Sequence, residues 1–303
     1  MKKYICKIIV FFALFFVIDI IVGFVGDKMV NLSKGGDTSL HAYINDEMQE
    51  DVLFFGSSRC MHHYVPRIVD DSLNTKSFNC GTDGMGIPFM YARYKLITSR
   101  IKPKVIFYDV YPAWDLYSNI AFPNTRNLKW LKPYYNRNEI KEVFNDIDPL
   151  SKFKYRLNMY RYNGFLLDLA KDIIRPSRSF DKGFTPLTGT ISPDYKLTVD
   201  LTGNDLKVDP LKIKYWEKFL TATKQDGIKV VFLFSPMWGK PDDSIPEAIK
   251  SLASKYNIPI LNHSCDPFFN DKRHLFSEPW HLNGEGAIEY SKYICSELKQ
   301  FVK

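Results

Sequence analysis

The sequence predicts a three-layer α/β/α domain with a mostly parallel five-stranded sheet, preceded by a transmembrane helix and interrupted by an inserted helical region. Three observations predict this architecture. Short runs of β-branched and aromatic residues recur, stretches with helical spacing lie between them, and one long apolar run occupies the N-terminus. Continuous apolar runs are typical of strands buried on both faces, and their alternation with helices favours a parallel sheet.

Length, composition and cysteine usage indicate a globular protein without a disulfide framework. The 303 residues, 45% of them hydrophobic and 25% charged, suffice for one sizeable core and exclude disorder over most of the chain. The five cysteines include no C-x-x-C metal pattern. Whether the four cysteines beyond Cys6 form pairs stays open at this point.

The N-terminal run predicts an uncleaved signal anchor. Residues 8–25 are apolar apart from Asp19 and Gly23, which is just long enough for a helix that spans a bilayer. A cleaved signal peptide is the alternative, but no A-x-A cleavage pattern follows the run. Three lysines before the run predict a cytoplasmic N-terminus and a main domain on the extracytoplasmic side. We expect Asp19 to lie near the outer interface and reach water; a bond to a partner helix is the alternative.

Composition also predicts the domain boundaries. We assign residues 1–26 to the anchor, 27–50 to a polar tether and 51–303 to the α/β domain, with an insertion over about 120–208. The tether contains SKGGDTS, whose small and polar residues are typical of flexible linkers.

The elements of the α/β domain follow one another in strict alternation outside the insertion. The predicted strands are 51–56, 76–80, 104–110, 228–235 and 258–262. The predicted helices are 62–73, 88–101, 209–225, 243–256 and 283–300. Ligands of such sheets bind at the carboxyl ends of the strands. The segments GSSR, NCGTDG, YDVYPAWD and SPMW fall there.

The insertion carries most of the positive charge of the chain. Between Arg126 and Lys182, 13 Lys or Arg stand against 7 Asp or Glu, and the whole chain has a net charge of +7. One interpretation is a lid that binds an anionic or carbohydrate substrate, with sugars stacked on Tyr and Trp. The other is a solvated helical insertion. We do not expect nucleic acid as a partner of an exported domain, although basic and aromatic residues are mixed here.

Two serines, Ser57 and Ser58, follow the first strand and precede the first helix. A nucleophile there would lie at the carboxyl edge of the sheet, where a helix N-terminus offers backbone N–H groups to a developing oxyanion. A simple strand-to-helix turn is the alternative, because Gly-Ser turns after strands are common.

A serine nucleophile needs a base, and His281 has the most suitable surroundings among the six histidines. Glu278 lies three residues before it, where a carboxylate can accept the imidazole Nδ1–H and stabilise the imidazolium. The other ring nitrogen would then face the serine. His62 and His63 lie close to Ser58 in sequence, but no acid is evident nearby, so we expect them to contact substrate or to be structural.

Together these segments resemble the SGNH/GDSL hydrolase superfamily. GSS at 56–58 matches its first block, NCGTDG at 79–84 matches its N-x-G-x-x-G block, and EPWHLN at 278–283 matches its D-x-x-H block with Glu for Asp. The resemblance covers about 51–110 and 226–300 and implies an SGNH/flavodoxin-like fold. It implies that Ser58 is the nucleophile, His281 the base and Glu278 its orienting acid, with the amides of Ser58 and Gly84 forming the oxyanion hole. It implies no metal and no cofactor.

Two departures from the family pattern stand out. The third block, G-x-N-D in the family, is replaced by YDVYPAWD, so its oxyanion asparagine is missing. An ionised Asp109 cannot donate to an oxyanion, and the hole would rest on the two amides. Glu278 is also one methylene longer than the usual Asp. Membrane-anchored, exported branches linked to O-acylation of cell-surface polymers share the G-S-S block and lack a clear third one.

Five further residues are candidates for substrate contact because they lie in the segments at the strand ends. They are Arg59, His62, His63, Asp109 and Trp238. For Trp238, packing at the end of the core is the alternative.

The sequence therefore predicts a membrane-anchored serine esterase or O-acyltransferase that acts on acyl esters of a cell-surface glycan or related substrate. A membrane protein that exchanges acyl groups with it is a further candidate partner. The alternative class is a catalytically inactive glycan-binding or assembly protein on the same scaffold, and the missing third-block asparagine keeps that alternative open.

Overall fold

A computed structural model describes residues 1–118, 124–176, 181–196, 207–240 and 243–302, and its chain divides into two units. The first unit comprises Met1–Glu47 and Leu128–Ser179. The second comprises Met48–Asn127 and Phe180–Lys303 and contains the sheet.

The second unit is built on the predicted five-stranded parallel sheet. Its strands are β1 (Val52–Gly56), β2 (Ser77–Asn79), β3 (Val105–Asp109), β4 (Lys229–Phe234) and β5 (Ile260–Asn262). They pair in parallel in the order β2-β1-β3-β4-β5. This is the flavodoxin-like order, in which ligands bind at the carboxyl ends of the strands near β1 and β3. The predicted fold class is confirmed.

The helices of both units are numbered in chain order. They are α1 (Lys2–Leu32), α2 (Gly36–Ala42), α3 (Ser58–His63), α4 (Pro66–Leu73), α5 (Ile87–Thr98), α6 (Pro112–Asp115), α7 (Asn138–Ile147), α8 (Ser151–Lys154), α9 (Asn158–Arg161), α10 (Phe165–Ile174), α11 (Pro210–Gln225), α12 (Glu247–Tyr256), α13 (Pro267–Asn270) and α14 (Gly284–Val302). A π-helix covers Tyr43–Glu47, and 3₁₀ turns cover Asn124–Tyr134 and Arg273–Leu275.

The core of the second unit forms where strand side chains meet the helices. One face packs Phe54, Phe107 and Val231 against Tyr290 and Ile294 of α14, and all five side chains are buried. The strands carry apolar residues at nearly every position because both faces of the sheet are covered. This packing fixes the carboxyl edge of the sheet, where the candidate site lies.

The predicted helix 62–73 is two helices in the structure. Tyr64 and Val65 adopt extended conformations between α3 and α4. The residue before a proline is disfavoured in the helical region, so Pro66 ends one helix and starts the next. As a result, α3 is short and lies directly over the end of β1.

The first unit corrects the prediction of a flexible tether. Residues 27–50 are mostly helical: α1 continues to Leu32, and α2 and the π-helix follow. The side chain of Thr38 donates to Asp172 of α10, which ties the segment to the insertion. The described insertion likewise divides, with 128–176 in the first unit and 181–196 in the second.

The expectation that Asp19 reaches water is wrong. Its side chain is only 5% exposed, and its carboxylate accepts bonds from the backbone N–H groups of Asn158 and Met159 and from the Asn158 amide. The alternative, a bond to a partner helix, is what the structure contains. By length and composition, α1 could cross a membrane.

Candidate active site

The turn after β1 presents Ser58 at the first position of α3. Gly56 has a φ of +146°, and a Cβ there would lie 2.6 Å from the Asp109 carbonyl oxygen. Only glycine fits this turn without strain. Ser57 is the N-cap residue and Ser58 opens the helix half-buried. The backbone N–H of a first-turn residue has no intrahelical acceptor, so the Ser58 amide can serve another group.

Ser58, His281 and Glu278 form a continuous hydrogen-bonded chain. The Ser58 Oγ lies 2.7 Å from His281 Nε2, and His281 Nδ1 bonds to Glu278 Oε1. Because a carboxylate only accepts, Nδ1 carries the proton and Nε2 is left to accept from the serine. This is the arrangement of a nucleophile, base and orienting acid.

A short hairpin explains the three-residue spacing of the acid and base. Strands β6 (Phe276–Glu278) and β7 (His281–Leu282) pair antiparallel, and Glu278 lies opposite His281. Only Pro279 and Trp280 separate them, so the pairing itself brings the two side chains together. The longer Glu side chain therefore reaches the imidazole. The backbone N–H of Trp238 donates to the Pro279 carbonyl at 2.7 Å and anchors the turn.

The pKa values of both the acid and the base are lowered, but by different causes. Desolvation lowers the pKa of His281 below its usual value, and the bond to Glu278 offsets part of this shift. The pKa of Glu278 is lowered chiefly by its bond with His281, with a further contribution from the Trp280 side chain. His281 is thus neutral and ready to accept a proton near pH 7, beside an ionised Glu278.

Ser57 is placed differently from its neighbour. Its side chain is fully buried, and its Oγ has no hydrogen-bond partner in the described part of the chain. The structure thus separates the two candidate serines: Ser58 is bonded to His281, and Ser57 points into the protein.

His63 of α3 bonds both to Leu282, the neighbour of His281, and to Ser235, which follows β4. Its Nε2 accepts the backbone N–H of Leu282 at 2.9 Å, next to His281, and its Nδ1 lies 2.8 Å from Ser235 Oγ. Since Nε2 accepts, Nδ1 must donate, and the ring is neutral. Burial lowers the pKa of His63 well below the usual value, in agreement with this assignment.

Arg59, which follows Ser58 in the chain, forms a buried ion pair with Asp109. Arg59 Nε lies 3.6 Å from Asp109 Oδ1, and the guanidinium also donates to the carbonyl and hydroxyl of Ser235. Asp109 accepts the Tyr64 hydroxyl at 2.6 Å. Desolvation raises the pKa of Asp109, and the neighbouring Arg59 charge opposes that shift.

These positions correct three of the predicted substrate contacts. The side chains of Arg59, His63 and Asp109 are at most 1% exposed and bond to protein groups. A substrate does not reach side chains enclosed in this way. Their bonds join α3 to the end of β4 and to β7.

His62 and Trp238 lie at the site in different ways. The two ring nitrogens of His62 bond to the Thr185 carbonyl at 2.6 Å and to Asp83 at 3.0 Å, and its ring stands edge-on to His281. The half-buried Trp238 packs against Tyr195 and under the Arg273 guanidinium. A substrate contact by either residue stays a prediction.

The loop after β2 carries Gly84 with a φ of +67°, a conformation that favours glycine. The Trp114 ring lies against it, since a Cβ on Gly84 would be 3.6 Å from that ring. Asn79 braces the start of the loop: its amide donates to the Cys60 and Tyr64 carbonyls at 2.7 and 2.9 Å, and its oxygen accepts from Gly81. The oxyanion role of Gly84 stays a prediction.

Sequence reasoning missed three residues that support the site. Ser235 joins His63 to Arg59, Asn79 clamps α3, and Trp280 bonds to Glu278. Trp280 lies between Glu278 and His281 in the EPWHLN block, and this position could have indicated that it supports the site. The contacts of Ser235 connect residues more than 170 positions apart, and no local pattern indicates them.

Comparisons with solved structures find distant similarities over most of the chain. It is similar to an acetyl xylan esterase (14% identity, TM-score 0.41, 83% of this chain and 99% of that one). It is also similar to LAE5, an α/β hydrolase from the metagenome of Lake Arreo (8% identity, TM-score 0.43, 86% of this chain and 99% of that one). A third similar structure is a GDSL-like lipase from Bacteroides thetaiotaomicron (10% identity, TM-score 0.38, 90% of this chain and 98% of that one). No protein-family model matches the sequence, and no curated protein matches it. These similarities are distant.

Proposed function

We propose that this protein is a membrane-anchored serine esterase or acyltransferase of the SGNH/GDSL type. The observation that carries the proposal is the bonded chain from Ser58 through His281 to Glu278. The two sequence blocks that predicted these residues, GSS at 56–58 and EPWHLN at 278–283, are joined by this chain of hydrogen bonds. The long apolar α1 supports the anchor.

The first half of the reaction forms an acyl-enzyme. The Ser58 Oγ attacks the acyl carbon while His281 Nε2 takes its proton, and Glu278 stabilises the imidazolium. The carbonyl becomes an oxyanion, which the amides of Ser58 and Gly84 stabilise. The intermediate collapses, the C–O bond to the leaving alcohol breaks, and His281 returns the proton to that alcohol.

The second half divides hydrolysis from transfer. Water attacks the acyl-Ser58 ester in hydrolysis, and a hydroxyl of an acceptor attacks it in transfer. His281 accepts the proton of either nucleophile and then returns it to Ser58 Oγ. Both outcomes use the same residues, so the ratio depends on which nucleophile reaches the acyl carbon.

An acylated surface glycan is the substrate class that we propose. Trp238 and Tyr195 offer half-buried aromatic rings, and the Trp238 backbone holds the turn that carries Glu278 and His281. Aromatic rings in such a position suit the flat faces of sugar rings. The extracytoplasmic side, proposed from the lysines before α1, is where such a polymer occurs.

The test is ester hydrolysis by the full-length protein in detergent, with p-nitrophenyl acetate as substrate. We expect Ser58→Ala to lower kcat/KM by at least about 10³-fold and the matched control Ser57→Ala to retain most activity. Equal activity of wild type and Ser58→Ala would exclude the proposed nucleophile. Wild-type protein that is folded and inactive would favour the non-catalytic alternative.

Adding an acceptor separates transfer from hydrolysis. In the presence of a soluble oligosaccharide, a transferase produces acetylated sugar at the expense of free acetate while p-nitrophenol release continues. An esterase releases acetate and p-nitrophenol in equal amounts whether or not the sugar is present.

A further inference from the structure

Residues 150–160 of the first unit expose an unusual set of apolar side chains. Leu150, Phe153, Met159 and Tyr160 are 55%, 58%, 41% and 39% exposed. The exposed cations Lys152 and Arg156 lie among them in the sequence. An apolar surface that also carries positive charge is typical of a segment at a membrane interface. We call residues 150–160 the interfacial segment.

Asp19 fixes the position of this segment along α1. Its carboxylate accepts from both the Asn158 backbone and the Asn158 side chain, at 3.1 and 3.0 Å, and from the Met159 backbone at 2.8 Å. The contact is close: a Cβ on Gly23 would lie 2.6 Å from the Asn158 side chain. The end of the interfacial segment is therefore held at the level of Asp19–Gly23.

That level lies inside the apolar run of α1. About 20 helical residues cross a hydrocarbon core of about 30 Å, and the run of residues 8–25 is no longer than that. Asp19 is six residues before the end of the run, or about 9 Å at roughly 1.5 Å per residue. A carboxylate at this depth is costly unless it is hydrogen-bonded, and the three donors satisfy it.

After Met159 the chain follows α1 toward its C-terminal end. Tyr162 bonds to Asp27 and packs on Gly26, and Asp172 bonds to Thr38 beyond the end of α1. Asn158 and Met159, at the end of the interfacial segment, are consequently held closer to the N-terminal half of α1 than Tyr162 and Asp172 are. In that half, nearly every apolar side chain is exposed.

We infer that the interfacial segment lies in the outer leaflet where α1 leaves the membrane. Phe153 and Met159 contact the boundary of the acyl chains, and Lys152 and Arg156 face anionic lipid headgroups. The inference deepens the proposed membrane anchoring and rests on α1 as a span. It makes the anchor a helix with a docked interfacial segment.

Depth-dependent quenching tests the inference on the full-length protein. NBD is attached to Phe153→Cys in a Cys6→Ser background and the protein is reconstituted into phosphatidylcholine and phosphatidylglycerol vesicles. Doxyl groups at acyl carbons 5 and 12 serve as shallow and deep quenchers, and the Cys6→Ser parent measures background labelling. We expect at least about twofold stronger quenching of residue 153 by the shallow probe than by the deep one.

Two further labelling positions serve as controls, one outside the membrane and one within the span. Ile174→Cys is a matched control, because Ile174 is an exposed apolar residue at the Asp172 end and should not be quenched. Phe12→Cys reports the span and should be quenched most by the deep probe. Quenching of residue 12 with none at residue 153 overturns the inference while the span stands; a protein partner or second copy on this surface would give that result. Absence of quenching at residue 12 overturns the span itself.

The last experiment tests the role of the positive charges of Lys152 and Arg156. We expect the double variant Lys152→Gln/Arg156→Gln to lose most of the quenching at residue 153. Replacing phosphatidylglycerol by phosphatidylcholine should lower the quenching at residue 153 in the same way when Lys152 and Arg156 are retained. If quenching at residue 153 is the same with and without phosphatidylglycerol, and the same with and without the double substitution, the assignment of these two cations to anionic headgroups is overturned.

Discussion

At the scale of single residues, Glu278 acts through the electrostatics of His281. The charge of Glu278 favours the imidazolium, whereas burial of the ring disfavours it. Burial is the larger effect, so the pKa of His281 is below its ordinary value. Since the neutral form is the base, activity should rise with pH through this lowered pKa. We expect the acid limb of kcat/KM to have its midpoint below pH 6.5.

Replacing Glu278 by Gln should separate the two effects of its charge. Without the carboxylate the pKa of His281 falls further, which moves the acid limb to lower pH. The plateau of kcat/KM should fall by about 10²–10⁴-fold, because the imidazolium of the transition state is less stabilised. A pH–rate profile measures both. An acid limb that moves to higher pH would contradict the assignment, and Glu278→Asp should retain part of the activity.

His63 should act as a positioning residue. His63→Ala leaves the buried Leu282 N–H without its acceptor and removes one of the bonds of Ser235 Oγ, which should lower stability by about 2–4 kcal/mol and kcat by tenfold or more. KM should change little, because the side chain does not reach the substrate. His263→Ala is the control and should leave kcat unchanged, since it removes a buried histidine that bonds to Tyr290 and Glu297. An unchanged kcat in His63→Ala would contradict the role.

The three central residues could be predicted because each lies in a short block at the end of a strand. Ser58 follows β1, and Glu278 and His281 occur within four residues. The roles of Arg59 and Asp109 could not be predicted, because exposure decides between substrate contact and scaffold. A charged residue at a strand end has the same sequence signature in both cases.

At the scale of elements, Asn79 ties the end of β2 to α3. Asn79→Ala removes three buried hydrogen bonds to the backbone of Cys60, Tyr64 and Gly81. At about 1 kcal/mol each we expect a loss of about 3 kcal/mol in the free energy of unfolding of the second unit. Urea titration followed by tryptophan fluorescence measures this loss. A loss below about 1 kcal/mol would show that the loop does not depend on this side chain.

The strands of the sheet were predictable within two residues because β1, β3 and β4 are dominated by apolar runs, and the shorter β2 and β5 alternate with helices in the same way. The pair β6–β7 was not, because strands of three and two residues show no periodicity. The division of the predicted helix 62–73 at Pro66 could have been read from the residue before the proline. The helices within 27–50 were missed because Gly, Ser and Asp lower helix propensity, whereas long-range bonds such as Thr38–Asp172 hold them.

At the scale of the whole molecule, α1 is part of a folded unit as well as a candidate anchor. It packs Val30 against Tyr162, Phe165 and Leu169 and buries Asp19. Deleting Met1–Leu32 should therefore uncover an apolar cluster in residues 158–174. Hydrogen exchange should show protection lost there and retained in β1, β3 and β4 of the second unit. Unchanged protection of α10 after the deletion would contradict the dependence on α1.

Mapping a covalent adduct on the protein identifies its nucleophile. Full-length protein is treated with a fluorophosphonate, which reacts with an activated serine, and the modified peptide is identified by mass spectrometry. We predict a single phosphonyl adduct on Ser58, lost in Ser58→Ala, slowed in His281→Ala and retained in Ser57→Ala. An adduct on Ser57 or on another serine, or equal modification of wild type and Ser58→Ala, would contradict the account.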